Sequence, residues 1–121
     1  MMQLSEPVSI YQTAVRTLDD GNVVPTSATL SSSGVACNIH RGSSRVQAQA
    51  QALGIYATEV AMAYFDVASY GQLKVHWIVL DADNVPWMIR SRPVKRTRFA
   101  ATGHVNCILS LLSVRPPGLP S

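Results

Sequence analysis

Five cations fall within nine residues: Arg90, Arg92, Lys95, Arg96 and Arg98. Charges this close suit phosphates or an acidic protein surface. On an extended strand Arg90, Arg92, Arg96 and Arg98 share one face, although Pro93 is placed to break the register. Phe99 is the one aromatic beside the cluster. A single-strand nucleic-acid reader interleaves stacking rings with its charges, and that pattern is missing. Phosphate contact, contact with an acidic protein surface and a solvated strand face all stay open for the stripe. A second pair, Arg41 and Arg45, brackets Gly42, Ser43 and Ser44 and precedes Gln47, Gln49 and Gln51.

No catalytic set accompanies these charges. There is no P-loop, no dinucleotide-binding glycine set and no nucleophile elbow. Ser43, Ser44, Cys37, His40 and His104 have the types of a nucleophile and base, but a hydrolytic site also needs an oxyanion hole in register with them. No enzymatic activity is expected. Asp66, Asp81 and Asp83 are read as turn residues that bind local backbone. Two cysteines are too few for a structural zinc site. Cys37 and Cys107 both sit in alternating apolar contexts and are expected to be free, buried thiols. No metal and no cofactor is expected.

The elements that must position these residues read as β throughout. Val8-Ser9-Ile10-Tyr11-Gln12 alternates, and Asp19-Asp20-Gly21-Asn22 has the composition of a hairpin turn. Val23-Val24-Pro25 resumes extended structure, and a Ser/Thr-rich connector is expected over Thr26–Gly34. Val35, Cys37 and Ile39 share a strand face. The segment His40–Tyr56 reads as a long polar loop, with neither face apolar enough to anchor in a core. Its Ala and Gln residues favour helix intrinsically, while their alternation equally fits a strand. A strand is expected over Tyr56–Phe65 and another along Leu73, Val75, Trp77 and Val79. Asp81-Ala82-Asp83-Asn84 joins the latter to Val85, Trp87 and Ile89 in the clearest hairpin of the sequence. Trp77 and Trp87 are expected in the core. His104–Val114 is the last strand. Arg115–Pro120 is a Pro-rich extended tail that suits docking on an adjacent protein.

The chain has 121 residues, 47% hydrophobic and 14% charged, against about 25% charged in an average domain. One core's worth of chain is present, and the balance opposes disorder. Residues 1–83 hold four basic and seven acidic side chains, whereas residues 84–121 hold six basic and no acidic ones. The longest apolar runs fall far short of the ~20 residues of a membrane span. Glu6 and the lack of a basic start give no expectation of a secretory signal. The expected fold is all-β: a small closed or partly open antiparallel barrel of about six or seven strands with one long inserted loop. Residues 1–7 form an arm, 8–114 the barrel with its loop at 40–56, and 115–121 the tail.

The order of these elements resembles the head-closure, or stopper, proteins of long-tailed bacteriophages, the head–tail joining family. Four features carry the resemblance over residues 8–114. Val8-Ser9-Ile10-Tyr11 opens the barrel, with a Gly-containing turn and Val23-Val24 behind it. Val35-Ala36-Cys37-Asn38-Ile39 leads into the long polar loop. Tyr64-Phe65-Asp66 precedes a short connector. A hairpin with Trp77 and Trp87 comes before a basic strand and the closing His104-Val105-Asn106-Cys107 strand.

The resemblance implies a non-enzymatic virion protein of the neck, assembled in the host cytoplasm. It implies a homo-oligomeric, dodecameric ring between a portal–adaptor ring above and a tail-terminator or tail protein below, with no membrane partner. It also implies non-specific contact with packaged double-stranded DNA. The loop would point into the channel, with Arg41, Gly42, Ser43, Ser44, Arg45, Gln47, Gln49 and Gln51 as its DNA-facing, gating residues, and the stripe of Arg90, Arg92, Lys95, Arg96 and Arg98 would be an inter-ring or neighbour-protein contact. A head–tail adaptor, a tail terminator and a small nucleic-acid-binding β-barrel are the alternatives.

Overall fold

The computed structural model describes residues 6–41, 44–52, 59–96, 104–112 and 115–120. Seven strands are present: β1 (Glu6–Thr17), β2 (Val23–Arg41), β3 (Val60–Asp66), β4 (Ile78–Leu80), β5 (Pro86–Ile89), β6 (Val94–Arg96) and β7 (His104–Leu111). One helix, α1 (Ser44–Ala52), and a 3₁₀ helix (Val67–Gln72) complete the order. All pairings are antiparallel. They run β1–β2–β3–β7–β5–β4 and back to β1, so the sheet closes on itself. The expected all-β barrel-like fold is the observed one.

Period-2 alternation explains the closure. Val8, Ile10, Cys37, Ala61, Ala63, Phe65, Val79, Trp87, Ile89, Val105, Cys107 and Leu109 all point inward and form one buried cluster. Alanine and cysteine sit beside Phe65 and Trp87, which lets a narrow barrel close around two large rings. Burying Phe65 alone contributes about 3 kcal/mol. Cys37 and Cys107 are free and buried, as expected. They lie on β2 and β7, either side of β3.

Two apolar patches remain on the outside of the barrel, and each has its own cover. Val60, Met62 and Ile108 face outward from β3 and β7, where Val46 and Ala50 of α1 pack on them. Tyr11, Ala28, Ile78 and Leu80 form the second patch, covered by Leu112 and Leu119.

Several expectations are corrected here. The connector expected at Thr26–Gly34 lies inside β2, a strand of 19 residues. The polar loop expected at His40–Tyr56 contains α1, anchored by buried Val46 and fully buried Ala50. Helical spacing turns those two residues to one side, a face that a period-2 reading divides. The strand expected from Leu73 begins only at Ile78, because the chain turns through His76 at φ 74°. The C-terminal tail folds back on its own barrel. Ala28 N–H donates to the Pro117 carbonyl at 2.8 Å, and Pro116 is buried.

β5 and β6 lie end to end along one edge of β7. Residues 90–93 bulge between them. There Arg90 N–H donates to Ile108 O at 2.8 Å, and Ser91 Oγ accepts from Ile108 N–H at 2.8 Å. A bulge at a barrel rim re-aims side chains, so Arg90 and Arg92 do not continue the strand face of Lys95.

Candidate functional site

A carboxylate organises one end of the barrel. Asp81 begins the β4–β5 turn and is only 6% exposed. Its Oδ1 accepts from the backbone N–H groups of Asp83 and Val85, both at 2.9 Å. Its Oδ2 accepts from Trp87 Nε1–H at 3.1 Å and from Arg41 Nη2 at 2.9 Å. Burial alone would raise the Asp81 carboxyl, but the donors from Val85, Trp87, Arg41 and Asp83 outweigh it and hold it below the ordinary carboxylate range. Arg41 also lies 3.5 Å from Glu6 and 5.7 Å from the Trp87 ring centroid. The arginine expected at the mouth of a DNA channel is thus tied to three side chains of its own barrel.

The second arrangement is a cleft of about 670 Å³ between α1 and the bulge. Gln49 and Ala52 form the helix wall, and Arg90, Ser91 and Arg92 the opposite wall. Met62, Val94 and Ile108 make an apolar floor, interrupted by Asn106. The Oδ1 atom of Asn106 is buried and has no hydrogen-bond partner. Neither Arg90 nor Arg92 faces a carboxylate among the described residues. The cleft therefore combines two unpaired cations, an apolar floor and a buried acceptor without a donor. It suits a ligand with an acidic group, some apolar surface and an N–H donor.

The two walls lie far apart in sequence, Gln49 in the expected loop set and Arg90 with Arg92 in the basic stripe. The fold brings them together across β7. Lys95 sits apart, its Nζ 5.5 Å from the Tyr70 ring centroid. On α1, Arg45, Gln49 and Gln51 are exposed and Gln47 is half-buried. Gly42, Ser43 and Arg98 lie outside the described residues, as do the side chains of Ser44 and Arg96. Asp81 and Asn106 carry the most local chemistry, yet neither was singled out as a site. An Asp opening a hairpin with Trp six residues on was the available signal for the first. Nothing in the sequence marks the second.

No group of three or more potential metal ligands occurs among the described residues. No helix among them is long and apolar enough to cross a membrane. No family model, curated protein or solved structure matches the chain. Function therefore rests on geometry and on the resemblance in element order.

Proposed function

We propose that the chain is a ring-forming subunit of a virion neck, a head-closure component that retains packaged DNA and offers the tail a docking surface. The observation that supports this most is the β1–β2 ribbon. β4 pairs only with Ser9–Tyr11 of β1, and β3 only with Cys37–Arg41 of β2. Beyond those limits, toward the turn, no third strand pairs with them among the described residues, and only single hydrogen bonds reach them, at Thr13, Ala28 and Ser32. A closed barrel has no free edges of its own. This one keeps a long hairpin outside the closure, charged only at Arg16, Asp19 and Asp20 near its tip, with Val15 and Leu30 exposed on it. Such an appendage suits a subunit that gains its remaining contacts from other proteins.

In this reading the DNA-facing element is α1 rather than a plain loop. Arg45 heads its exposed face, while Arg41 braces the barrel beneath. Repeated around a ring, the exposed Arg45 and Gln51 would line a channel with sparse positive charge, enough for non-specific phosphate contact.

Sizing the purified chain by sedimentation, alone and with isolated portal–adaptor complexes, tests the proposal. A ring, or binding to those complexes, is the expected result. A monomer that binds DNA alone and loses that affinity on Arg90→Ala with Arg92→Ala would instead support the nucleic-acid-binding barrel.

A further inference from the structure

We infer that the tip of the β1–β2 ribbon of one subunit inserts into the α1–bulge cleft of the next; this contact rests on the ring reading above. The ribbon stands free from Ala14 to Leu18, five residues, or roughly 16 Å at ~3.3 Å per residue. Its tip is braced: Leu18 N–H donates to Asn22 O at 2.7 Å and Gly21 N–H to Leu18 O at 2.9 Å. Both carboxylate oxygens of Asp20 accept from Asn22, from N–H and Nδ2, at 2.9 Å each. Asp19 is exposed, and its carboxylate makes no hydrogen bond or ion pair among the described residues. The tip thus presents two carboxylates on a rigid turn, flanked by half-buried Leu18 and Val23.

These groups match the cleft in kind, with Arg16 the one cation on the same stretch of ribbon. Asp19 and Asp20 supply the negative charge that Arg90 and Arg92 lack. Leu18 and Val23 supply apolar surface for the floor. The backbone N–H groups of Asp19 and Asp20 make no hydrogen bond within the described residues, so the tip brings N–H donors to a cleft whose lining includes Asn106, and a turn of that side chain would present its Oδ1 to them. A phosphodiester has charge but no N–H donor, so DNA fits the cleft less well. Placement agrees. In the closed order β1–β2–β3–β7–β5–β4, the strand β1 that leads to the tip lies opposite β7, which floors the cleft. A contact between two different patches on opposite sides repeats head to tail, and such contacts give a ring where the rotation between subunits closes and a filament where it does not.

Charge reversal tests the contact. Asp19→Arg and Arg92→Glu each alter an exposed side chain without an ion pair, and near-ultraviolet circular dichroism checks that both variants fold. Each single variant is expected to raise the concentration at half-assembly by about tenfold or more, and the double variant to restore it. A second measurement mixes an Asp19→Cys chain with an Arg92→Cys chain under mild oxidation, and a disulfide-linked pair is the expected product. Unchanged assembly in both singles, or no rescue and no cross-link, overturns the contact while leaving the ring in place. Loss of double-stranded DNA retention with unchanged assembly in Arg92→Glu makes the cleft a phosphate site and also overturns the contact. A wild-type chain that stays monomeric, alone and with portal–adaptor complexes, removes the ring reading itself.

Discussion

Arg41 and Asp81 lie forty residues apart in sequence and 2.9 Å apart in space, the guanidinium of one strand end closing on the buried carboxylate of a hairpin turn. The pair joins β2 to the β4–β5 hairpin, two parts of the barrel that share no ladder hydrogen bonds. Asp81 is also the acceptor for Trp87 Nε1–H, so the same carboxylate fixes a core ring.

Replacing Asp81 by Ala removes one acceptor from four donors at once. Arg41 is 38% exposed and solvent screens its pair, so the cost comes chiefly from leaving Asp83 N–H, Val85 N–H and Trp87 Nε1–H without their acceptor, about 3 kcal/mol in all. Asp81→Ala is expected to lose that much in urea unfolding, and Asp81→Asn about 2 kcal/mol, since the amide keeps one acceptor oxygen. A loss near zero for both would remove Asp81 from its organising position.

The same group makes the fold acid-sensitive. Its folded pKa lies below the unfolded value of ~3.9, so its stabilisation is complete above that value and is lost as pH falls through the folded one. His76 adds an earlier step. Burial, then the nearby Arg90 charge, lowers its pKa. Protonation therefore favours the unfolded chain, and stability declines as pH drops from ~6.5 toward the lowered value. Thermal midpoints measured against pH are expected to show both declines. His76→Gln should abolish the upper one and Asp81→Asn the lower.

Neither thiol should react in the folded protein. Burial raises Cys107 to about 12 and Cys37 further still, the latter also through Cys107 and Glu6. The thiolate is the reactive form, so a disulfide reagent at neutral pH is expected to find no accessible sulfur until the barrel unfolds, and then two. Rapid labelling of the native protein would contradict the barrel interior described above.

Helix α1 depends on its seat. A nine-residue helix is marginal by itself, and burying Val46 contributes only about 1.5 kcal/mol. Ala50→Asp places a carboxylate against Val60, Met62 and Ile108. Hydrogen exchange is expected to lose protection throughout α1, with β1, β2 and β7 unchanged. Global unfolding of this variant would instead tie α1 to the stability of the barrel.

The C-terminal tail has one sensitive point. Gly118 has φ 104°, and a Cβ there would strike the Ala28 carbonyl. Gly118→Ala combines backbone strain with that clash, at a cost of about 1–3 kcal/mol. Faster carboxypeptidase digestion is the expected outcome, as Leu119 leaves its place beside Tyr11 and Leu80.

What the sequence determined by itself was local. Strict alternation at Val85, Trp87 and Ile89, turn chemistry at Asp19–Asn22 and Asp81–Asn84, and apolar flanks around both cysteines needed no distant partner to be read. A closed, low-charge β domain follows from those features. The tertiary structure decided everything that depends on which strands become neighbours. The Ser/Thr stretch of β2 is a strand because β1 pairs with it through three register shifts, which no alternation announces. The Gln/Ala segment is a helix with a seat because Val60, Met62 and Ile108, brought together by β3–β7 pairing, leave an apolar patch for Val46 and Ala50. Arg41 looks like a free cation in the chain and becomes a brace once Asp81 is beside it. Gln49, Arg90 and Arg92 share a cleft only because β7 pairs with β3 on one edge and with β5 and β6 on the other. Propensity and periodicity act over a few residues, whereas register and closure are settled by burial summed over the whole sheet.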